Sequence, residues 1–154
     1  MIRNAAPADA GAIARVHRRA VEQLCAGHYP PEQIRAWAVP RGLPPFEEVL
    51  ARTLVLVYER EGAVAGFGQL DPEAAEIISL FVDPDRAGKG IGTALLAALE
   101  DAARRSGLKR LRLNSSLNAA GFYESRGYRR EGPCTQLLPD GVTRVECIRM
   151  SKGL

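Results

Sequence analysis

The chain has 154 residues, 46% hydrophobic and 25% charged, the make-up of a globular protein and enough for a single domain spanning 1–154. No apolar run approaches the roughly 18 residues that cross a bilayer, and no secretory-type apolar stretch follows Met1-Ile2-Arg3-Asn4, so no membrane partner is expected and the expected location is cytoplasmic. The net charge of +3, with no long block of like charges, does not call for nucleic acid as a partner, though it suits a cleft for a phosphate-bearing ligand.

Ile2-Arg3 opens a short strand. Pro7-Ala8-Asp9 then begins a helix with Ile13, Val16, His17 and Ala20 on one side, ending by Gly27. Pro31 suits the first turn of a second helix running to Ala38. Pro40, Gly42, Pro44 and Pro45 break the chain before a short helix from Phe46 to Arg52. Thr53 to Tyr58 is β-branched and apolar, Glu61-Gly62 turns it, and Ala63 to Leu70 returns as the second arm of a hairpin. Ala75 to Val82 is the next strand. From Gly92 to Ser106 the buried stripe is Leu95, Leu96, Leu99 and Ala103, with Gly107 as the C-terminal stop. Leu108 to Leu113 is a strand, and a short helix follows Asn118 and stops at Gly127. Tyr128–Leu138 and Val142–Lys152 form a closing hairpin around Pro139-Asp140-Gly141. The order predicts a mixed α/β fold with a largely antiparallel central sheet flanked by helices.

Cys25, Cys134 and Cys147 cannot all pair within one chain and show no C-x-x-C spacing, so reduced thiols are expected. Cys25 and His28 lack a second ligand pair, and no metal site is expected. Neither Ser115 nor Ser116 lies in G-x-S-x-G, which argues against a serine hydrolase.

The segment Arg86-Ala87-Gly88-Lys89-Gly90-Ile91-Gly92-Thr93 lies between a buried strand and a long helix. Its glycines let the backbone turn with N–H groups facing inward, and the helix adds its unpaired donors and positive dipole end. Together they make a phosphate cradle, to which Thr93 adds a hydroxyl. A P-loop needs Ser or Thr after Gly-Lys, and a dinucleotide fold needs G-x-G-x-x-G; neither is present.

This run closely resembles the acyl-CoA loop of the GNAT superfamily of N-acetyltransferases, which reads Gln or Arg, two residues, Gly, one residue, then Gly or Ala. Aligned on Gly90 and Gly92, the first position is Ala87, with Arg86 one place early. A second stretch, Asn118 through Phe122-Tyr123 to Gly127-Tyr128, looks like the family's second signature. The piece from Cys25 to Val39, around Tyr29-Pro30-Pro31 and Trp37, is similar to a bacterial subgroup of the family.

The resemblance implies an acetyl-CoA-dependent N-acetyltransferase, without metal, acting on a primary amine by direct attack in a ternary complex. It implies cofactor contacts from Leu80, Phe81 and Val82 on a bulged, splayed strand, from Ala87, Gly88, Lys89, Gly90, Ile91, Gly92 and Thr93 in the loop, and from Asn118 on the pantetheine arm. Asn118 has a second reading as the cap of the short helix. Phe122 and Tyr123 point about 100° apart on a helix; with Phe122 packed inward, Tyr123 faces the cleft, and by resemblance it is the general acid for the leaving thiolate. Glu76 is the candidate general base, with a water relay or no dedicated base as alternatives. The acceptor is a small-molecule or peptide amine, with Tyr29, Trp37 and the prolines to Pro45 either walling its pocket or packing helices. A homodimer is compatible with the sequence. The competing functional reading is a non-catalytic acyl-CoA-binding sensor or partner module, which shares the loop but does not need Tyr123.

Overall fold

The computed structural model describes residues 1–154. Seven strands form one sheet in the order β1-β2-β3-β4-β5-β7-β6. They are β1 (Ile2–Asn4), β2 (Leu54–Arg60), β3 (Ala63–Asp71), β4 (Glu76–Val82), β5 (Arg110–Ser115), β6 (Arg129–Leu137) and β7 (Arg144–Gly153). Every pairing is antiparallel except β4 with β5. That exception follows from α4 (Ile91–Arg105), which carries the chain back along the sheet between these two strands. The remaining helices are α1 (Ala10–Leu24), α2 (Pro31–Ala38), α3 (Phe46–Arg52) and α5 (Ala120–Glu124).

Strand alternation sorts the core into two layers. Leu56, Leu70, Ile77, Leu111 and Leu113 pack with the α4 stripe of Leu95, Leu96, Leu99 and Ala103, joined by Tyr123 and Tyr128 of the α5 region. Val57, Val64 and Phe67 turn to the opposite face and pack on Val16 of α1, with Phe81 and Ile13 beside them. Gly66 and Gly68 let α4 lie close on β3. A Cβ at Gly66 would stand 3.0 Å from the Phe81 carbonyl oxygen and 3.1 Å from Leu95, and one at Gly68 would stand 2.8 Å from Leu99.

Tyr29 serves as a tie. Its hydroxyl donates to the Glu146 carbonyl at 2.7 Å and accepts from the Leu117 N–H at 2.9 Å, anchoring the α1–α2 loop to β7 and to the loop after β5. In the closing hairpin, Asp140 accepts from the Val142 and Thr143 N–H groups and Gly141 takes a positive φ of 78°, as the Pro-Asp-Gly turn predicts.

Two expectations change. Cys134 and Cys147 are directly opposed on β6 and β7 and form a disulfide, while Cys25 stays free and buried. Neither strand register nor this opposition was legible in a sequence separation of 13 residues. Asn118 does not cap α5: the helix starts at Ala120, the N-cap position is Ala119, and no side chain bonds there. No helix is long and apolar enough to cross a membrane.

Candidate active site

The strand β4 is both bulged and half unpaired. Gln69 pairs with Ser79 while Leu70 pairs with Ile77, so Ile78 is an extra residue without a partner on β3. On its other edge β4 pairs with β5 only at Glu76–Arg112 and Ile77–Leu113. Beyond that point the two strands part. Asp83 donates its N–H to Ala65 at 2.8 Å, which by ladder alternation assigns the Phe81 N–H to β3 and leaves those of Leu80 and Val82 facing the split. Phe81, expected with Leu80 and Val82 to contact cofactor, therefore has its N–H committed to the ladder and its ring on the α1 face.

The split opens into a cavity of about 310 Å³ that passes through the sheet. Leu80, Ala119 and Tyr123 line it on the α4–α5 side, and His17, Trp37 and Phe81 line it on the α1–α2 side. Tyr123 is 7% exposed, and burial pushes its hydroxyl pKa well above the usual tyrosine value. It therefore stays protonated at neutral pH, as a proton donor must. Phe122 is half-buried at the margin of the core. It packs over Gly92, whose Cβ would stand 3.4 Å from the ring, and it carries the Arg126 guanidinium 3.8 Å above its centroid.

The glycine loop ends at the N-terminus of α4. Gly88 and Gly90 take φ of 79° and 81°, the left-handed region that other residues avoid. No N–H from Gly88 to Thr93 donates to a loop acceptor, and the first turn of a helix offers none internally. A Cβ at Gly88 or Gly90 would meet no atom of the protein. The loop is an open row of donors at the positive end of a 15-residue helix. The residues present thus fit a pyrophosphate-bearing ligand. No group of three or more His, Cys, Asp or Glu side chains is arranged to hold a metal ion.

A split strand beside a free donor loop is the arrangement that the resemblance implies, and comparison with known proteins identifies the family. The family profile of the acetyltransferase (GNAT) domain matches residues 25–145. The uncharacterized N-acetyltransferase YafP of Escherichia coli is 32% identical over 127 residues, covering 82% of this chain and 79% of its own length. The chain belongs to the GNAT acetyltransferase family. A shorter stretch of 62 residues is 45% identical to YxbD of Bacillus subtilis, covering 38% of either chain. Among solved structures, a GCN5-related N-acetyltransferase from Rhodopseudomonas palustris superposes with a TM-score of 0.91 at 33% identity, covering 100% of this chain and 95% of that one. The yncA protein of Salmonella typhimurium, solved with its cofactor acetyl-CoA, superposes with a TM-score of 0.66 at 27% identity, covering 100% and 93%.

Within this GNAT fold the remaining expected site residues take distinct places. Ala87 closes a 3-10 turn, its N–H donating to Pro84, so it is not one of the free donors. Ile91 is buried, leaving only its backbone for a ligand. Thr93 accepts from Arg126 at 2.6 and 3.0 Å. Sequence reasoning did not single out Arg126. It brings a cation to the first turn of α4, beside the loop that has Ala87 where the family motif carries Gln or Arg. Its position just before Gly127, four residues after Phe122, was the available signal.

Lys89 points the other way, into a hollow of about 590 Å³ shared with Arg15, Arg19, Arg60 and Arg86. Asn118 is exposed and makes no cap. Glu76 stands at the closed end of the split, in register with Arg112 and Asp71, and does not line the cavity. No Asp or Glu does. Trp37, Pro40, Leu43 and Pro44 wall the cavity, whereas Tyr29 belongs to the neighbouring apolar cluster with Cys25, Leu138 and Val145.

Proposed function

We propose that this GNAT protein transfers the acetyl group of acetyl-CoA to a primary amine by direct attack in a ternary complex. The observation that carries the reading is the cavity through the sheet at the split of β4 and β5, with Tyr123 on its wall. The acetyl-CoA-bound yncA structure, which shares the fold, supports the choice of cosubstrate.

On this reading the free N–H groups from Gly88 to Thr93 hold the pyrophosphate, with Arg126 beside them. The pantetheine arm lies in the split from the α4–α5 side. The acceptor amine comes from the α1–α3 side, so the two reactants meet without an acyl-enzyme. The Leu80 and Val82 N–H groups stabilise the charge that gathers on the thioester oxygen. As the N–C bond forms and the C–S bond breaks, Tyr123 gives its proton to the leaving sulfur. The amine loses its own proton to water, because Glu76 lies outside the cavity and no other carboxylate lines it.

Two variants test the reading. Tyr123→Phe should keep acetyl-CoA affinity by calorimetry while lowering kcat at least ~100-fold. Glu76→Gln should change kcat/KM by less than about 3-fold, and kcat/KM should rise with pH toward the amine's own pKa, near 10.4 for a lysine-like amine. Failure of the parent protein to bind acetyl-CoA would sink the proposal. Binding without turnover of any amine would leave a non-catalytic acyl-CoA module.

A further inference from the structure

The acceptor side of the split has a chemistry of its own. The cavity of about 310 Å³ continues into a second of about 630 Å³ bounded by α1, the α2–α3 connection and β3. His17, Pro40, Leu43, Pro44 and Val49 line both, together with two uncharged polar side chains, Gln69 and Ser79. This is the size range of sites for ring-containing small molecules. Trp37 and Phe81 stand edge-to-face at 6.4 Å, and His17 meets Phe81 edge-to-face at 4.8 Å. The passage is thus walled largely by flat rings and apolar side chains, and its polar groups, Gln69 and Ser79 among them, are uncharged.

The charge at this site is one-sided. No Asp or Glu lines either cavity. Burial lowers the His17 pKa to about 4, so the ring is neutral at physiological pH and adds no charge of either sign. At the α1 rim stand Arg15 and Arg18. Arg15 has no carboxylate partner and reaches only the Val64 carbonyl at 3.5 Å; Arg18 pairs along its own helix with Glu22. A second ammonium on an acceptor would lose water here without gaining a counter-charge, and would face the unpaired Arg15 guanidinium. A flat apolar body would gain edge-to-face contacts and bury its surface.

We infer that the acceptor is an aryl or arylalkyl amine, with a ring-sized apolar body and no second positive charge, and that the site rejects polyamines and aminoglycosides. The inference rests on the acetyltransfer reading above. It extends that reading from "a primary amine" to a substrate class.

The test measures thiol release from acetyl-CoA with phenethylamine, tryptamine, spermidine and kanamycin. Arylalkyl amines should exceed spermidine and kanamycin in kcat/KM by at least ~100-fold, the scale on which apolar pockets discriminate. Leu43 lies in both cavities yet is 60% exposed, so Leu43→Glu tests the charge argument without risk to the fold. It should raise KM for phenethylamine about 10-fold, narrow the gap to spermidine, and leave the acetyl-CoA Kd unchanged. Equal or better turnover of spermidine or kanamycin by the parent overturns the inference. So does an unchanged phenethylamine KM in Leu43→Glu, or acetyl-CoA binding with no turnover of either arylalkyl amine. Absence of acetyl-CoA binding is the separate outcome that overturns the parent reading.

Discussion

Burial sets the behaviour of the two titratable rings at the centre of the site. His17 projects from α1 onto the Phe81 ring, and desolvation lowers its pKa from 6.5 to about 4, with the Ala38 backbone offsetting part of the shift. A folded-state pKa below the unfolded one means that folding excludes the proton. Stability is then complete above pH 6.5 and falls as the pH drops from 6.5 to about 4, by up to about 3 kcal/mol. Urea midpoints between pH 7.5 and 4.5 should show this loss, and His17→Gln should flatten it. The Asp9 carboxyl, held low by hydrogen bonds from Arg3, titrates below its ordinary 3.8 and lies outside that window. Arg126 is the other single side chain whose place matters. If its guanidinium helps hold the pyrophosphate, Arg126→Gln should weaken acetyl-CoA binding about 10-fold by calorimetry. Arg86→Gln, remote from Thr93 and turned toward Glu61, should leave binding within about 2-fold.

Among the elements, β4 does the most with the least sequence. One extra residue, Ile78, bends it away from β5, and the bend is what makes the split. The bulge has no composition signal, since Ile-Ile-Ser-Leu-Phe-Val reads as an unbroken core strand. Its appearance among the expectations came from the glycine loop that follows, through resemblance. The packing of α4 on β3 is equally exacting. Gly66→Ala would drive a methyl into the Phe81 carbonyl and the Ile91 and Leu95 side chains. It should cost about 2 kcal/mol and lower Tm by roughly 4–8 °C, read by differential scanning calorimetry. Because β4 carries the donors and the Phe81 ring, the same variant should raise KM for acetyl-CoA as well.

Across the whole molecule, charge is unevenly placed. The chain has an excess of only +3, yet the hollow beside the glycine loop gathers five arginines and Lys89 against three carboxylates, Glu61, Asp83 and Asp85. Asp83 and Asp85 hold Arg19, and Glu61 meets Arg86 at 3.9 Å, while Arg60 and Lys89 have no acidic partner. The hollow presents a positive field on the approach to the loop. The association rate of acetyl-CoA, measured by stopped flow, should fall several-fold between about 20 and 300 mM salt as the Debye length shortens from roughly 20 to 5 Å. The rate of dissociation should change less, because the loop donors act at contact distance.

The element order, the mixed sheet and the glycine loop with its free backbone donors were legible in the amino-acid sequence alone. These rest on local causes: the β-branched apolar run of β2 with the Glu61-Gly62 turn after it, a 3.6-residue stripe in α4, and glycines needed where φ is positive at 88 and 90. Resemblance to the family's second signature singled out Tyr123, which lines the cavity at the split. What the sequence could not hold were relations between residues distant in the chain. The Cys134–Cys147 pair depends on the register of β6 against β7. The exclusion of Glu76 depends on where β5 stops pairing. The arrival of Arg126 at Thr93 depends on how α5 leans on α4. The carboxylate-free cavity on the α1 side of the split is assembled from α1, α2, α3, β3 and β4 together with the loops between them. Each is a product of packing, which sums many weak contacts between segments far apart in the sequence, and only the tertiary structure expresses that sum.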